Sequence, residues 1–502
     1  MKRAIAILLT VLLALCAMPA GAETTFDMEA YQAERAQWFG SEAADRELTA
    51  EEQAVDALLP AMKAEADALY AGKSTGYGLV TAGHPDAAQT ELFAFCKALP
   101  KGGELHIHDC LAISFDTFVD ILVNYEGGDI SVCLEDGPKY CYLYAPGVEA
   151  DVETVPLKAA LEDGSLTREQ FHQALSVEPE PGLTSRQAWD IFQPFFRKIG
   201  GLSSDFVLAE QLYDAALRSC VENGLTLVEI RLRMGPDSET NRKLVDLVKR
   251  AYFSIKAENP DFSVRLICTS GKSLKSTVES SEDMLRTAIQ MSREVVDDFD
   301  PENPRPFIIG LDMVNEEDMS HPLSEYAEFF LSDEVQSSGL QLFMHCGESL
   351  RLDNEAVVDA YMFGACRMGH GYNLYRYPKL MKAAAEKGVA VEACPVSNCL
   401  LGYATDLRLH PAQNYLRNGI PVALCSDDGL FLEDAPLTED FFAATLSWNL
   451  TLGEIKTLAE NSILYSGLPE DEVNALHAAW QKQWDAFIAE WSETAKQKTA
   501  LY

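Results

Sequence analysis

The segment ELHIHD (residues 104–109) is a short apolar run that ends in polar side chains, and the chain repeats this pattern. Seven later segments share it: LTLVEIRLRM (225–234), FSVRLICTS (262–270), RPFIIGLDM (305–313), LQLFMHCGE (340–348), CRMGHG (366–371), VAVEACPVSN (389–398) and PVALCSDDG (421–429). Helix-like stretches such as 279–297 and 377–387 lie between them. Apolar strands that alternate with helices predict a parallel sheet, and eight such units predict an α/β fold closed into a (β/α)8 TIM barrel.

Two regions lie outside this repeating pattern. Residues 23–98 precede the first motif and predict a helical arm, with helix over 27–72 and a capping box formed by Thr49 and Glu52. About 115 residues separate the first two strands, whereas one crossover unit needs about 30. We therefore predict a barrel over residues 99–502, with an inserted subdomain at about 112–190 and helices in its tail over 437–466 and 470–496.

The first 22 residues predict a secretory signal peptide. Lys2 and Arg3 give a basic start, residues 4–17 are apolar, and Ala20-Gly21-Ala22 forms a small-residue cleavage site. The apolar run is short for a membrane span. We expect a secreted or periplasmic protein that has no stable membrane insertion after cleavage; an uncleaved N-terminal anchor is the alternative.

The net charge of the chain indicates which binding partners to expect. The formal net charge of −38 is spread along the chain, and this acidity repels phosphate backbones, so we expect a neutral small molecule and no nucleic acid as the partner.

Cys133 and Cys141 flank a Glu-Asp-Gly-Pro turn. In an exported protein they form either a local disulfide or two separate thiols, and the sequence leaves both open.

Side chains that can bind a metal collect where the predicted strands end. His106 and His108 end the first strand, and because side chains alternate along a strand, both point to one side while Ile107 faces the other. His345 ends the fifth strand and an Asp-Asp pair (427–428) ends the eighth. A barrel brings these ends to one face. Three imidazoles and a carboxylate predict a Zn²⁺ site with room for a water, whose pKa the ion would lower to about 7.

The ordered motifs resemble the adenosine deaminase family, and most closely its secreted adenosine deaminase growth factor branch. The segments that carry the resemblance are PKGGELHIHD (100–109), LVEIRLR (227–233), GLDMVNEE (310–317), HCGE (345–348), MGHGYNL (368–374), EACPVSN (392–398), SDDG (426–429) and the tail over 437–466. The resemblance covers roughly residues 27–490. It implies a barrel of the metal-dependent amidohydrolase type, a purine nucleoside as the ligand, and a homodimer formed through the N-terminal arm.

The resemblance also implies a role for individual residues. The expected ligands of one Zn²⁺ per chain are His106, His108, His345 and Asp427. Glu348 is expected to give a proton to purine N1, and His370 to hold and orient the nucleophile. Three residues are expected to bind the substrate: Asp428 at purine N7, Asp109 at the ribose, and Asn315, which stands where a glycine N–H commonly meets purine N3.

The expected function is zinc-dependent hydrolytic deamination of adenosine and 2′-deoxyadenosine, outside the cytoplasm. Two alternatives stay open: deamination of another purine, and a secreted binding or signalling role on a barrel without catalysis. Cys346 and Gly429 replace the usual Ala and Pro of the family motifs. These departures bear on substrate identity and rate more than on metal binding.

Overall fold

The structure is a computed structural model that describes residues 27–36, 46–70, 87–134, 141–150, 152–177, 182–432 and 437–499. The chain divides into two compact units, residues 1–41 and 42–502. The described part of the first unit is the helix Met28–Ala36; the carboxylate of Asp27 caps it by accepting from the backbone N–H groups of Glu29 and Ala30. The predicted signal peptide, residues 1–22, lies outside the described residues.

The second unit is built on eight parallel strands that pair in chain order. They are β1 (Gly102–His108), β2 (Leu225–Arg233), β3 (Ser263–Gly271), β4 (Ile308–Val314), β5 (Gln341–Cys346), β6 (Arg367–His370), β7 (Ala390–Ala393) and β8 (Val422–Leu424). The chain just after β8 pairs with β1: the N–H of His108 donates to the carbonyl of Asp427 (3.2 Å), and the N–H of Asp427 donates to that of His106 (2.9 Å). The predicted (β/α)8 barrel is confirmed.

Buried charged residues on four of the strands meet inside the barrel. Arg231 on β2 donates to Asp312 on β4 (2.8 Å) and to Glu392 on β7 (2.5 Å). Arg367 on β6 donates to Glu392 (2.6 Å) and to Glu229 on β2. All five side chains are almost fully buried. Since each charge is paired, the network avoids the large cost of an isolated buried ion.

Helices follow every strand. After β2 to β7 they are Ser238–Glu258, Val278–Ser292, Ala327–Phe330, Asp333–Gln336, Ala356–Phe363, Pro378–Lys387, Pro395–Leu400 and Ala412–Arg417. After β8 they are Gly429–Leu432, Thr438–Ser447, Leu452–Leu464 and Glu470–Thr499. The helix predicted over 377–387 is confirmed; it starts with Pro378 and ends at Gly388, whose φ is +68°. None of the described helices is long and apolar enough to cross a bilayer.

The helix predicted over 279–297 is wrong at its end. The helix stops at Ser292, and Val296–Asp297 forms a two-residue strand with Arg305–Pro306. The carboxylate of Asp297 accepts from buried Arg265 (2.9 Å) and from the hydroxyl of Tyr252 (3.0 Å). This buried ion pair holds the chain extended where the apolar periodicity alone would continue the helix.

The long connection between β1 and β2 has its own small sheet. Its strands Ser131–Cys133, Tyr142–Tyr144 and Val155–Pro156 are antiparallel, with the first in the middle. Its helices are Phe115–Val123, Leu157–Asp163, Arg168–Leu175, Ser185–Gly200 and Phe206–Glu222. The helix Ser185–Gly200 runs through residue 190, the predicted end of the insertion. Cys133 and Cys141 are both buried.

The arm that precedes the barrel is a series of short helices. Within the region predicted to be helical, 27–72, the structure has Met28–Ala36, Ala50–Asp56 and Leu59–Tyr70, and residues 37–45 and 71–72 lie outside the described part; Glu91–Ala98 follows later. The predicted capping box of Thr49 and Glu52 is confirmed. Glu52 also accepts from Lys456 and from the indole N–H of Trp484, each at 2.8 Å, so the arm packs against the C-terminal helices within the second unit.

Candidate active site

Three imidazoles and one carboxylate converge at the carboxyl end of the barrel. Nε2 of His345 lies 2.9 Å from Nε2 of His106 and 3.2 Å from Nε2 of His108. An oxygen of Asp427 lies 3.2 Å from Nε2 of His108 and 3.5 Å from Nε2 of His106. One ligand atom from each residue therefore lies within 4.8 Å of the other three. This donor set of three nitrogens and one oxygen is the kind that binds Zn²⁺.

Carboxylates behind two of these imidazoles fix how the rings point. Nδ1 of His345 lies 2.5 Å from Asp312, and Nδ1 of His106 lies 2.9 Å from Glu392. A carboxylate at Nδ1 holds the proton there and leaves the lone pair of Nε2 for a metal. Arg231 donates to both carboxylates, so a single guanidinium joins the supports of two candidate ligands on different strands.

Four predicted site residues adopt a left-handed backbone conformation that non-glycine residues rarely occupy. Their φ angles are +46° for Asp109, +127° for Asn315, +61° for His370 and +64° for Asp427. Each residue lies at or just after the end of a barrel strand. Such outliers persist only where the surrounding structure holds them, and they concentrate at functional sites. At the strand ends, the backbone therefore turns these side chains away from the alternating directions that side chains have along a strand.

Glu348 is buried beside the metal-ligand cluster. Its backbone N–H and that of Gly347 donate to the carboxylate of Glu317, at 2.7 and 3.1 Å. Gly347 has a φ of +77°, and a Cβ there would lie 2.6 Å from both the Asn373 side chain and Val357. Burial raises the pKa of Glu348 well above its ordinary value, and the carboxylates of Asp427 and Glu317 raise it further. These surroundings thus favour the protonated form of Glu348.

His345 and His370 are held neutral. Burial lowers the pKa of His345 to about 3 and that of His370 well below its usual range. The neutral imidazole is the form that binds a metal or accepts a hydrogen bond. Nδ1 of His370 lies 3.6 Å from Glu348, which brings the predicted orienting residue next to the predicted proton donor.

The three predicted substrate-binding residues line the same space. Asp428 is buried, and its Oδ1 has no hydrogen-bond partner among the residues that the structure describes; burial and neighbouring Asp427 raise its pKa well above the ordinary value. Asp109 is half-buried and accepts from the hydroxyl of Tyr213 at 3.4 Å. The side chain of Asn315 donates to Ser320 at 3.1 Å. An unpartnered buried oxygen at Asp428 is an atom that a ligand could satisfy.

A cavity of about 380 Å³ connects these residues. Eight of the nine predicted site residues line it: His108, Asp109, Asn315, His345, Glu348, His370, Asp427 and Asp428. The ninth, His106, is completely buried beside His108 and His345. The structure therefore brings the whole predicted set together at one face of the barrel.

The opposite side of the cavity comes from the inserted helix Ser185–Gly200, which sequence analysis did not place there. Its cavity-lining side chains include Trp189, Phe192 and Phe196, named here the aromatic wall. The indole N–H of Trp189 donates to the hydroxyl of Tyr403 (2.7 Å), and Phe192 and Phe196 pack on Phe431 after β8. An amphipathic pattern in this helix could have indicated a buried face, but not the surface that it covers.

Two polar residues in the segment CPVSN also escaped sequence analysis. The hydroxyl of Ser397 donates to Asp427 at 2.7 Å, and the side-chain amide of Asn398 contacts both Glu348 and His370. The sequence indicated a strand over 389–398, whereas β7 ends at Ala393 and the helix Pro395–Leu400 follows. This early end turns Ser397 and Asn398 into the site. Cys346, which replaces the usual Ala of the family motif, is buried and is not one of the converging ligands.

The chain is similar to known adenosine deaminases in sequence and to a solved amidohydrolase in fold. A family model described as adenosine deaminase matches residues 209–482. Adenosine deaminase 2 from Dictyostelium discoideum is 25% identical over 435 residues, covering 80% of this chain and 75% of that protein. Human adenosine deaminase 2 is 26% identical over 430 residues, covering 80% and 81%. A Zn-bound cog1816 amidohydrolase from Burkholderia ambifaria has the same fold, with a TM-score of 0.56, 17% identity, and coverage of 80% of this chain and 96% of that one.

Proposed function

Because this chain belongs to the adenosine deaminase family, in its adenosine deaminase 2-like branch, we propose that it deaminates adenosine and 2′-deoxyadenosine hydrolytically. The enzyme is an aminohydrolase, and the products would be ammonia and the corresponding inosine nucleoside. The observation that carries the proposal is the shared cavity, in which buried Glu348 and the unpartnered carboxylate oxygen of Asp428 lie beside the four converging metal ligands.

The metal that fits this donor set best is zinc. His106, His108, His345 and Asp427 would hold one ion, since three imidazole nitrogens and one carboxylate oxygen suit Zn²⁺ better than a hard cation such as Mg²⁺. When bound there, the ion would lower the pKa of a water to about 7 and so supply the nucleophile at neutral pH.

Glu348 would act as the general acid at purine N1. Addition at C6 breaks the aromatic system, so a proton must reach N1 as the new bond forms. The raised pKa of Glu348 favours the protonated carboxyl group that a general acid needs, and a positioned general acid contributes about 10²–10⁴-fold to the rate. The tetrahedral adduct then loses ammonia. His370 would orient the attacking oxygen from its place beside Glu348.

The remaining site residues would bind the nucleoside. Asp428 would meet purine N7; burial and Asp427 raise its pKa, which favours the protonated form that can donate to that nitrogen. Asp109 would contact a ribose hydroxyl, and the backbone N–H of Asn315 would face N3. Among the described residues that line the cavity, Arg233 is the one Lys or Arg side chain. That lining, together with the net charge of −38, favours a nucleoside over its phosphate.

Export and assembly are also part of the proposal. The basic start, apolar run and small-residue cleavage site in residues 1–22 support export to the cell exterior or the periplasm. The resemblance to the growth factor branch supports a homodimer formed through the N-terminal arm.

Ammonia release from a panel of purines tests the function. The zinc-loaded protein is incubated with adenosine, 2′-deoxyadenosine, adenine, AMP and 5′-methylthioadenosine, and its metal content is measured in parallel. The expected result is one zinc per chain and the highest kcat/KM for adenosine or 2′-deoxyadenosine. A higher kcat/KM for another purine would reassign the substrate. Metal-loaded protein that releases ammonia from none of them would favour a binding role.

A further inference from the structure

Asn398 lies between the two residues that are proposed to handle protons. It is fully buried in the helix Pro395–Leu400. Its side-chain Nδ2 lies 3.4 Å from Oε1 of Glu348 and 3.3 Å from Nδ1 of His370. One amide group therefore contacts both side chains, and its orientation decides whether each of them meets a hydrogen-bond donor or an acceptor.

His410 determines that orientation. The backbone N–H of Ala412 donates to Nδ1 of His410 at 3.2 Å, so this nitrogen must be the unprotonated one. Nε2 then carries the proton, and the atom of Asn398 that lies 3.1 Å from it must be the amide oxygen. Burial lowers the pKa of His410 to about 3, which leaves a neutral ring with a single proton. The NH₂ group of Asn398 is thereby turned toward Glu348 and His370.

The ring of His410 is fixed in place. It stacks on Trp448, with ring centroids 5.5 Å apart and planes inclined by 28°, and it meets the edge of Tyr372 at 5.3 Å. Trp448 is itself held by a hydrogen bond from its indole N–H to the carbonyl of Leu407 (3.0 Å). His410 can therefore neither turn over nor move away without disrupting a packed aromatic cluster.

The amide orientation has a consequence for each of the two partners. Nδ1 of His370 accepts from Asn398, so the single proton of this neutral imidazole lies on Nε2. Oε1 of Glu348 also accepts from Asn398, so this oxygen offers a lone pair, not a proton, to the amide. The proton of His370, and a proton that Glu348 gives to the substrate, are thus confined to the atoms that do not face Asn398.

We propose that Asn398, oriented by His410, is a positioning residue that fixes the proton of His370 on Nε2 and leaves Oε2 as the oxygen of Glu348 from which a proton is given. The catalytic consequence rests on the proposed deaminase function. The tautomer of His370 itself follows from the hydrogen bonds alone and can be measured without turnover.

The backbone around Asn398 keeps its hydrogen bonds without this side chain. The backbone of Asn398 is anchored separately, because its N–H donates to the carbonyl of Cys394 and its carbonyl accepts from the N–H groups of Tyr403 and Ala404, each at 2.9 Å. Replacing the amide by a methyl group leaves these three hydrogen bonds in place. A loss of turnover in Asn398→Ala would thus report positioning rather than collapse of the helix Pro395–Leu400.

The first test is a kinetic comparison of variants in the zinc-loaded, full-length protein. Asn398→Ala is expected to lower kcat by about 10–100-fold, the usual cost of removing a positioning hydrogen bond, with KM within about threefold and one zinc retained. His410→Met, which has no donor, is expected to lower kcat about tenfold. His410→Gln keeps a donor at a similar reach and should stay within about threefold of the parent kcat.

The double variant Asn398→Ala/His410→Met separates positioning from independent effects. If His410 acts through Asn398, the double variant has the kcat of Asn398→Ala within about twofold. Asn461→Ala is the matched control, since this buried asparagine donates to the carbonyl of Val422 (2.9 Å) at β8; it is expected to lower the Tm but not kcat. Equal kcat values for His410→Gln and His410→Met, or full additivity in the double variant, would overturn the proposal.

The second test reads the tautomer directly. ¹⁵N–¹H correlation spectra of histidine-labelled, zinc-loaded protein show which ring nitrogen is protonated, and His370→Asn identifies the signal of His370. The expected parent spectrum has His370 protonated on Nε2, and in Asn398→Ala a second tautomer appears. A parent His370 protonated on Nδ1 would refute the proposal. A parent with the expected tautomer but no ammonia release would instead refute the deaminase function.

Discussion

A carboxylate oxygen of Glu392 lies 2.9 Å from Nδ1 of His106, and the same oxygen lies 2.5 Å from the guanidinium of Arg231. The ring of His106 is therefore held from behind by a charged group that is itself fixed. Because burial opposes the charged form of Glu392 but Arg231 and Arg367 favour it more strongly, the pKa of Glu392 falls below its usual range. The carboxylate stays ionised and keeps the proton of His106 on Nδ1.

Glu392→Gln is expected to weaken zinc binding by about 10–100-fold, since carboxylates that orient a ligating imidazole typically have effects of this size. The change also leaves two buried arginines with fewer counter-charges, so the Tm should fall as well. Competition with a chelator of known affinity measures the zinc dissociation constant, and differential scanning calorimetry measures the Tm.

Glu229→Gln is the matched control for this prediction. Glu229 pairs with Arg367 in the same network but has no hydrogen bond to a candidate metal ligand. Its variant should lower the Tm without changing the zinc affinity. Equal losses of zinc affinity in both variants would mean that the network acts through stability alone.

Glu348→Gln is expected to keep one zinc per chain and to lose at least about 10²-fold in kcat, because the amide preserves the packing but is not an acid. The raised pKa of Glu348 also sets the sign of the pH dependence. The group donates a proton while it is protonated, so kcat is highest below its folded pKa and falls as pH rises through that pKa. Zinc content, kcat, and the alkaline limb of the pH profile check this. A Glu348→Gln enzyme that remains fully active would remove Glu348 from the mechanism.

The features that could be predicted from sequence are those that the residues at the end of one strand indicate by themselves. His106 and His108 follow from alternation in β1, and the barrel brings them to His345 and Asp427 because all strands end at one face. The pairing of Arg231 with Asp312 and Glu392 could not be derived in the same way. Alternation in the segments LVEIRLR and VAVEA indicates which face a charge occupies, but the partner across the barrel depends on closure and strand stagger.

The residues that sequence analysis missed depend on tertiary contacts of the insertion and on backbone geometry. The aromatic wall reaches the cavity because Trp189 bonds Tyr403 and because Arg186, a few residues earlier, pairs with Glu316 after β4 at 2.8 Å. Neither partner is indicated by the sequence of the insertion itself. The positive φ of His370 and Asp427 was equally hidden, because local sequence assigns such angles to glycine.

The pair of substitutions Asn315→Gly and Asn315→Ala tests whether the backbone of Asn315 is strained. A φ of +127° costs a non-glycine residue about 1–3 kcal/mol, and both variants lose the hydrogen bond from Asn315 to Ser320. Glycine relieves the strain whereas alanine keeps it. After glycine's own entropic cost of about 0.5–1 kcal/mol, Asn315→Gly should be more stable than Asn315→Ala by about 1 kcal/mol in urea denaturation. Identical stabilities would show that the angle is not a source of strain.

The KM of Asn315→Gly tests the role of its backbone. Because the glycine keeps the N–H that is proposed to face purine N3, KM for adenosine should stay within about threefold of the parent. A large rise in KM would transfer the contact to the asparagine side chain.

The last prediction concerns Glu52, which joins the arm to the C-terminal helices. Burial acts to raise the pKa of Glu52, but the hydrogen bonds from Lys456, the Thr49 N–H and Trp484 outweigh it and lower the pKa to about 2. A depressed folded pKa stabilises the protein above the ordinary value of 4.5, and this stabilisation is lost as pH falls from 4.5 toward 2. Relative to Glu52→Gln, the parent should be more stable by on the order of 3 kcal/mol above pH 5.

Urea denaturation of both proteins after removal of metal, from pH 7 down to pH 3, should show this difference shrinking below pH 4.5. Exposed Glu51, one residue earlier, provides the control Glu51→Gln, which should match the parent at every pH. A difference between parent and Glu52→Gln that stays constant with pH would mean that packing, not the ionised carboxylate, holds the arm in place.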